Sequence, residues 1–244
     1  MDLEIKKYNY MIQEYAEFKS ISIEELNNKI INSTNLLVED INRYRNVGDN
    51  KMDYLFYNSV NLPLEVIKVP FNIDLNSMIA KYSLFSPYLL QLLNGNEYKR
   101  FLEFMGGTSI LSEYVSSLGK EVTYASVESE MFNFVKWRVN NRRLNIKVKE
   151  VARNFKLDEN YDFIVSDGVL QLFNENDQLQ IIESMYNSLN KGGVLAILVD
   201  WSGSKENPIN YDIDVTKLHD YLDRKDMVCI YGKNNFSSLW KKMS

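Results

Sequence analysis

The sequence predicts an α/β protein with a mostly parallel sheet and a helical region in front of it, and three observations support this prediction. From about residue 98 onward, short apolar segments alternate with amphipathic segments of helical periodicity, as in successive βαβ units. Residues 1–96 carry apolar side chains at helical spacing and few extended segments. The 244 residues, 45% of them hydrophobic, suffice for one large core with an appended cap.

The N-terminal region, residues 1–96, is predicted to be a helical cap or lid. Ser22 and Glu25 have the spacing of a capping box at the start of a long amphipathic helix. Prolines flank residues 64–69, which favours a short extended segment, because the residue before a proline avoids the helical conformation. Helices are predicted at residues 5–15, 23–44, 74–82 and 87–93.

Residues 97–244 are predicted to form the sheet domain. Strands are predicted at residues 101–104, 122–127, 146–151, 161–167, 194–200, 227–231 and 236–240. Amphipathic helices separate most of them, and Gly119 has the position of a residue that ends a helix. The Lys-Gly-Gly segment at 191–193 is expected to close the helix before the fifth strand. Arg138 and His219 are predicted to lie on helix surfaces, Arg138 as an ion-pair partner.

Composition excludes several classes of protein. The net charge of −5 gives no overall attraction to nucleic acid or anionic lipid. No run of 18 apolar residues is present, and the first residues do not resemble a secretory signal, so neither a membrane span nor export is expected. One cysteine and one histidine cannot form a disulfide or an ordinary zinc site. A cytoplasmic protein without a bound metal is therefore predicted.

The first strand-turn-helix of the sheet domain, residues 101–111, is the most informative segment. Gly106 and Gly107 form a small turn that lets a ligand approach the backbone. The helix that begins near Ser109 directs free N–H groups at the same place, which favours a carboxylate or a phosphate. A purely structural turn would explain the two glycines equally well, so the motif alone does not identify a ligand.

From Glu103 onward, the order of elements resembles that of the class I S-adenosylmethionine-dependent methyltransferases. In that family, the first strand ends in an acidic-x-Gly-x-Gly-x-Gly turn. Glu103 stands at the acidic position and Gly107 at the middle glycine, whereas Met105 and Ser109 replace the first and third glycines. The resemblance covers about residues 98–244. It implies a three-layer, Rossmann-like, seven-stranded sheet with an antiparallel last strand.

The resemblance also implies a binding site for S-adenosylmethionine. The turn would hold the methionine part, the end of the second strand the ribose, and the end of the fourth strand the adenine or the substrate. Ser126 stands where the family has the acid that binds the ribose, and Glu128 could substitute for it. No catalytic residue is identified. The implied cofactor contacts are Glu103, Met105, Gly106, Gly107, Thr108, Ser126, Val127, Glu128, Asp167 and Gly168.

Three functions fit these observations. The first is methyl transfer, in biosynthesis, to a small molecule or a peptide-derived intermediate. The second is a catalytically silent methyltransferase fold that acts as a scaffold, with the N-terminal helices contacting another copy or another protein. The third is a nicotinamide-dependent enzyme, but its Gly-x-Gly-x-x-Gly pattern is present only as Gly106 and Gly107.

Overall fold

A mixed β-sheet forms the centre of the molecule. The computed structural model describes residues 10–44, 59–68, 75–85, 87–199, 213–233 and 237–244. Residues 5–9, 69, 74, 200 and 236 of the predicted elements lie outside this part of the chain. The strands of the described part are β1 (Arg100–Phe104), β2 (Glu121–Ser126), β3 (Ile146–Glu150), β4 (Tyr161–Asp167), β5 (Leu189–Leu198), β6 (Met227–Tyr231) and β7 (Ser237–Lys242).

The strand order is β3-β2-β1-β4-β5-β7-β6. Strands β1 to β5 pair in parallel, and β7 is antiparallel to both β5 and β6. The chain runs outward in one direction from β1 to β3 and in the other direction from β4 to β5. Strand β6 then forms the far edge, and β7 returns between β5 and β6. The predicted seven-stranded sheet with an antiparallel last strand is therefore confirmed. The reversal between β1 and β4 creates a crevice at the carboxyl ends of these two strands, where open α/β sheets bind ligands.

Helices cover both faces of the sheet and complete the predicted three layers. In the described part of the chain they are α1 (Tyr10–Lys19), α2 (Ile23–Tyr44), α3 (Leu62–Lys68), α4 (Leu75–Phe85), α5 (Pro87–Asn94), α6 (Ile110–Ser117), α7 (Glu130–Asn141), α8 (Glu175–Asn187) and α9 (Val215–Asp223). None of the helices described here is long and apolar enough to span a membrane.

Alternate side chains of β1 enter two different cores. Phe101 belongs to a cluster with buried residues of α1 to α7, including Met11 of α1. Leu102 and Phe104 belong to the cluster on the other face, with buried residues of α8 and α9. One apolar core therefore joins the N-terminal helices to the sheet. The division at residue 96 stays a prediction.

The extended segment predicted between the two prolines is wrong, because residues 62–68 form helix α3. Pro63 lies in the first turn of this helix, where the missing N–H removes no helical hydrogen bond. The Ser59 hydroxyl accepts the N–H groups of Asn61 and Leu62, at 3.1 Å each, and so satisfies the start of the helix. The proline that suggests an extended chain instead marks a helix start.

The prediction that the Lys-Gly-Gly segment at 191–193 closes a helix is wrong, because this segment lies inside β5. Helix α8 ends at Asn187, and the strand begins two residues later. Between Tyr161 and Phe163, the pairing of β4 with β5 shifts in register, and Gly192 has a φ of +76° there. The two glycines therefore lie in an irregular stretch of β5, which runs from Leu189 to Val194 while β4 advances only from Tyr161 to Phe163. Glycine accepts the positive φ at position 192 without strain.

The surface position predicted for His219 is also wrong. His219 is 2% exposed and meets Trp240 of β7 edge to face, with ring centroids 5.0 Å apart. Helix α9 buries both Leu218 and His219 against the sheet. The apolar stripe of α9 predicts the burial of Leu218, but the burial of its neighbour depends on the tilt of the helix against the sheet.

Candidate ligand site at the switch point

The turn after β1 adopts left-handed backbone at three alternate residues. Met105, Gly107 and Ser109 have φ angles of 58°, 54° and 61°. These are the three positions at which the acidic-x-Gly-x-Gly-x-Gly pattern has glycine. The chain thus keeps the backbone conformation of the pattern while lacking two of its glycines. A non-glycine residue in this conformation costs about 1 kcal/mol, so the rest of the structure must hold Met105 and Ser109 in place.

The side chain of Met105 does not enter the crevice. It is buried in the cluster on the α8 and α9 face of the sheet, together with Leu102 and Phe104. The Met105 N–H donates to the carbonyl oxygen of Ala125 in β2 at 2.7 Å. The thioether therefore packs under the turn and leaves the backbone of the turn accessible from the crevice side.

Glu103 lies beneath the turn and fastens it to helix α6. Its buried carboxylate accepts the N–H of Ser112 at 2.8 Å, one of the N–H groups that have no partner within the helix. Burial raises the pKa of Glu103 to about 8, although the hydrogen bond from Ser112 opposes this. A Cβ atom on Gly106 would lie 2.0 Å from Oε1 of Glu103. Gly106 is therefore needed to make room for the acid.

Two buried side chains hold the carbonyl groups of the turn. The Tyr124 hydroxyl donates to the carbonyl oxygen of Gly107 at 3.0 Å. Nη1 of Arg138 donates to the carbonyl oxygen of Thr108 at 3.5 Å and to Oγ of Ser109 at 3.3 Å. The predicted surface position of Arg138 is wrong, because its side chain is fully buried.

The guanidinium of Arg138 also joins two carboxylates. Its Nε donates to Glu14 of α1 at 2.6 Å, and its Nη2 donates to Glu113 of α6. Arg142, one helical turn later, pairs with the same two carboxylates. Burial opposes the charge of Arg138, but the two glutamates outweigh it and raise its pKa. The predicted ion pairing is present, but inside the protein.

The end of β2 supplies the next group of predicted contacts. Ser126 and Val127 are buried, whereas Glu128 is exposed. The carbonyl oxygen of Ser126 accepts the N–H of Val151 at 2.9 Å. Ser129 caps helix α7 by accepting the N–H of Phe132 at 3.1 Å. Since β2 is the parallel neighbour of β1, these residues lie at the same sheet edge as the turn, with Glu128 facing solvent.

Asp167, at the end of β4, meets two residues of the N-terminal region. Nζ of Lys81 lies 2.6 and 2.8 Å from its carboxylate oxygens, and the hydroxyl of Tyr82 donates to Oδ2 at 2.7 Å. The side chains of Lys81 and Asp167 are only 14% and 11% exposed. Burial, together with the charges of Asp167 and Glu103, raises the pKa of Tyr82 well above its ordinary range. Tyr82 therefore stays protonated.

The sequence analysis missed Lys81 and Tyr82 as site residues. One signal was available, because Lys81 is the only charged residue in the sequence of α4. A second contact between the N-terminal helices and the site was likewise not predictable from the sequence. A Cβ atom on Gly107 would lie 3.3 Å from Cγ1 of Val66 in α3. Helices α3 and α4 thus lie over the turn and over Asp167 respectively.

The residues after Asp167 continue the floor of the crevice. Gly168 has a φ of +68°, and its N–H donates to the carbonyl oxygen of Leu198 at 2.8 Å. Gln171 lies in the short 3₁₀ turn that follows, with Oε1 buried and without a hydrogen-bond partner. No group of three or more metal-binding side chains occurs in the part of the chain that the structure describes.

The sheet order and the turn define the Rossmann-like fold of the class I methyltransferases, which several solved structures share. TehB from Haemophilus influenzae has 20% sequence identity and a TM-score of 0.50, over 72% of this chain and 65% of that one. The magnesium protoporphyrin IX methyltransferase of Synechocystis PCC 6803, solved with bound SAM, has 12% identity and a TM-score of 0.56, over 78% and 94% of the two chains. An S-adenosylmethionine-dependent methyltransferase from Clostridium acetobutylicum ATCC 824 has 13% identity and a TM-score of 0.52, over 69% and 99%.

Residues 97–235 match the family model described as tellurite resistance protein TehB. Because the match covers more than half of the chain, the protein belongs to the TehB family. No curated protein sequence matches the chain. The resemblance to the class I methyltransferases is thereby confirmed at the level of family and fold. The chain spans slightly less than two thirds of the H. influenzae protein.

Proposed function

We propose that the protein is an S-adenosylmethionine-dependent methyltransferase that acts on a small molecule or a peptide-derived intermediate. The left-handed backbone at Met105, Gly107 and Ser109 carries this proposal. Two non-glycine residues are held in an unfavourable conformation at the switch point of the sheet. Left-handed non-glycine residues also occur elsewhere in the described part of the chain, at Ser20, Arg143, Phe155 and Asp226. What supports a binding site is that two of them alternate with Gly107 in one turn at the carboxyl ends of parallel strands, where open α/β sheets bind ligands.

The residues of the crevice fit this cofactor. Gly107 and Thr108 would lie against its methionine part, Ser126 to Glu128 against its ribose, and Asp167 with Gly168 against the cofactor or the acceptor. The inward packing of Met105 leaves the backbone of the turn open. The carboxylate of Asp167 suits the positive charge of a sulfonium ion.

The cofactor supplies an electrophilic methyl group, and the chain would position the acceptor. Lys81 and Tyr82 place an ammonium and a phenolic hydroxyl at Asp167. Tyr82 keeps its proton and donates it to Asp167, so its hydroxyl oxygen could accept a hydrogen bond from the methyl acceptor but would not remove a proton from it. Helices α3 and α4 would exclude water from the reacting groups, and proximity can then account for much of the rate.

A silent scaffold remains the second candidate function, and two observations favour it. At the ribose position the strand ends in Ser126 instead of an acid, and Lys81 and Tyr82 already contact Asp167. Helix α2 also exposes Ile31 and Val38 on one face, which would suit another copy or a partner protein. Light scattering of the purified protein would detect an oligomer. A cytoplasmic, biosynthetic role without nucleic acid or membrane stays a prediction.

Calorimetric titration with S-adenosylhomocysteine separates the two functions. We expect saturable binding by the unaltered protein, and its loss in Gly107→Ala, because the added Cβ would occupy the space between the turn and Val66. Gly119→Ala is the matched control, since Gly119 also has a positive φ but lies after α6 with open space around it. Unaltered protein that binds neither S-adenosylmethionine nor S-adenosylhomocysteine at millimolar concentration would exclude the enzyme.

A further inference from the structure

Arg138 connects three parts of the molecule at the ligand turn. It touches the backbone of the turn at Thr108, the hydroxyl of Ser109, and the carboxylates of Glu113 and Glu14. These partners belong to the turn itself, to α6 and to the N-terminal helix α1. Because the side chain is fully buried, water cannot substitute for any partner that is removed.

Arg138 contacts the turn at Ser109, which replaces the third glycine of the pattern. Ser109 has φ 61° and ψ 22°, and its side chain makes no capping bond to the helix that it precedes. Its hydroxyl instead accepts from Nη1 of Arg138, and the same nitrogen donates to the preceding carbonyl group. A glycine would adopt this conformation without assistance. A serine adopts it at a cost, and the charged guanidinium of Arg138 is a partner that can offset this cost, although its contacts of 3.3 and 3.5 Å are long.

The two carboxylates fix the direction of the guanidinium fork. Glu14 binds Nε and Glu113 binds Nη2, which leaves Nη1 directed at the turn. Arg142 shares both carboxylates, so the cluster contains two positive and two negative groups. Arg142 has no contact with the turn among its hydrogen bonds and ion pairs, and this makes it a natural control.

We propose that Arg138 is a positioning residue that takes over the role of the third glycine of the turn, and that through Glu14 it makes cofactor affinity depend on helix α1. This inference rests on the proposed function, because the turn is taken to be the cofactor site. It assigns to Arg138 no contact with the cofactor or the acceptor. Its effect passes through the backbone conformation of Thr108 and Ser109.

The test is a cycle of three variants, Arg138→Lys, Ser109→Gly and the double variant, titrated with S-adenosylhomocysteine. Lysine keeps the charge but loses the planar fork. We expect Arg138→Lys to weaken binding about tenfold, Ser109→Gly to change it by less than about threefold, and the double variant to return close to the unaltered protein. A purely structural role would predict no rescue by glycine. A double variant that binds as weakly as Arg138→Lys would overturn the proposal.

Two controls address folding and the cap. Arg142→Lys changes the same carboxylate cluster, and we expect it to leave affinity within about twofold of the unaltered protein. Glu14→Gln tests the link to α1, because it removes the charge of one carboxylate of the cluster but keeps a hydrogen-bond acceptor at that position. The exposed Glu17→Gln, also in α1, is its control. We expect only Glu14→Gln to weaken binding. Equal affinities for the two glutamine variants would overturn the link to α1.

Failure of this inference and failure of the proposed function would give different experimental results. The same cycle is measured by urea unfolding without ligand, where we expect the effects of Arg138→Lys and Ser109→Gly to be non-additive. Additive effects would overturn the coupling whether or not the cofactor binds. Absence of binding by the unaltered protein, with non-additive unfolding, would overturn the function and leave the coupling of Arg138 with Ser109 in place.

Discussion

The carboxyl ends of β1 and β4 lie side by side, but different parts of the chain define them. The turn after β1 is shaped mainly from within the sheet domain, by Glu103, Tyr124 and Arg138. The end of β4 is defined by Lys81 and Tyr82, which are more than 80 residues earlier in the sequence. The β1 side is therefore shaped mainly by residues of the sheet and of α7, whereas the groups that pair with Asp167 on the β4 side come from α4.

The largest expected effect on stability concerns Glu103, the buried acid on the β1 side. Its pKa of about 8 lies far above the ordinary value of 4.5, so between these values the folded protein keeps a proton that the unfolded chain has lost. The contribution of Glu103 to stability is therefore greatest below pH 4.5 and falls as pH rises to about 8. We expect Glu103→Gln, which lacks this titration, to be more stable than the unaltered protein at pH 8.5 by about 4 kcal/mol.

Urea unfolding at pH 5 and pH 8.5 measures this difference. The exposed Glu97→Gln is the control, and we expect it to follow the unaltered protein at both pH values. If the gap between Glu103→Gln and the unaltered protein did not widen with pH, the carboxyl group of Glu103 would be ionised in the folded state. The raised pKa of Glu103, and with it the predicted effect of pH on stability, would then be wrong.

The second effect tests the steric fit of the turn. Gly106→Ala places a Cβ 2.0 Å from Oε1 of the buried Glu103, so either the acid or the turn must move. We expect a loss of about 3 kcal/mol in the free energy of unfolding. Gly119→Ala, with no atom within 4 Å of the new Cβ, should cost about 1 kcal/mol from its backbone conformation alone. Similar losses for the two variants would contradict the fit of Glu103 around Gly106.

The third effect belongs to the β4 side. Lys81→Met leaves the largely buried carboxylate of Asp167 without its ion-pair partner, and we expect a loss of about 2 kcal/mol. Adding Asp167→Asn removes the unpaired charge and should recover part of the loss, as measured by thermal or urea unfolding. Without such recovery, the contribution of Lys81 would come from packing rather than from the ion pair.

The smallest effect on stability is expected at the end of β2. Glu128 is exposed, so Glu128→Gln should change the free energy of unfolding by less than about 0.5 kcal/mol. If Glu128 replaces the missing ribose acid, the same variant should bind S-adenosylhomocysteine about tenfold more weakly. Unchanged affinity would remove Glu128 from the site and leave Ser126 as the polar side chain at that position.

Local patterns predicted the strands of the sheet well, because most of them contain a short apolar segment bounded by turn residues, although β3 and β7 are partly polar. The strand after α8 is instructive, since glycines that suggest a helix end instead lie in an irregular stretch of β5. The conformation of Met105 and Ser109 could be inferred only by aligning them with the glycine pattern. Their own residue types favour other conformations, and the partners that hold them come from β2 and α7.

The sequence by itself determined the α/β class, most strand positions and the resemblance to methyltransferases, and it predicted a candidate site at the β1 turn, because these depend on periodicity and on short motifs. Only the tertiary structure decided that Arg138 is buried, that Met105 faces the core, and that Lys81 and Tyr82 reach Asp167. Those facts depend on contacts between residues far apart in the chain. Helical spacing predicts the helix face on which a side chain lies, but it does not predict which distant carboxylate that side chain contacts.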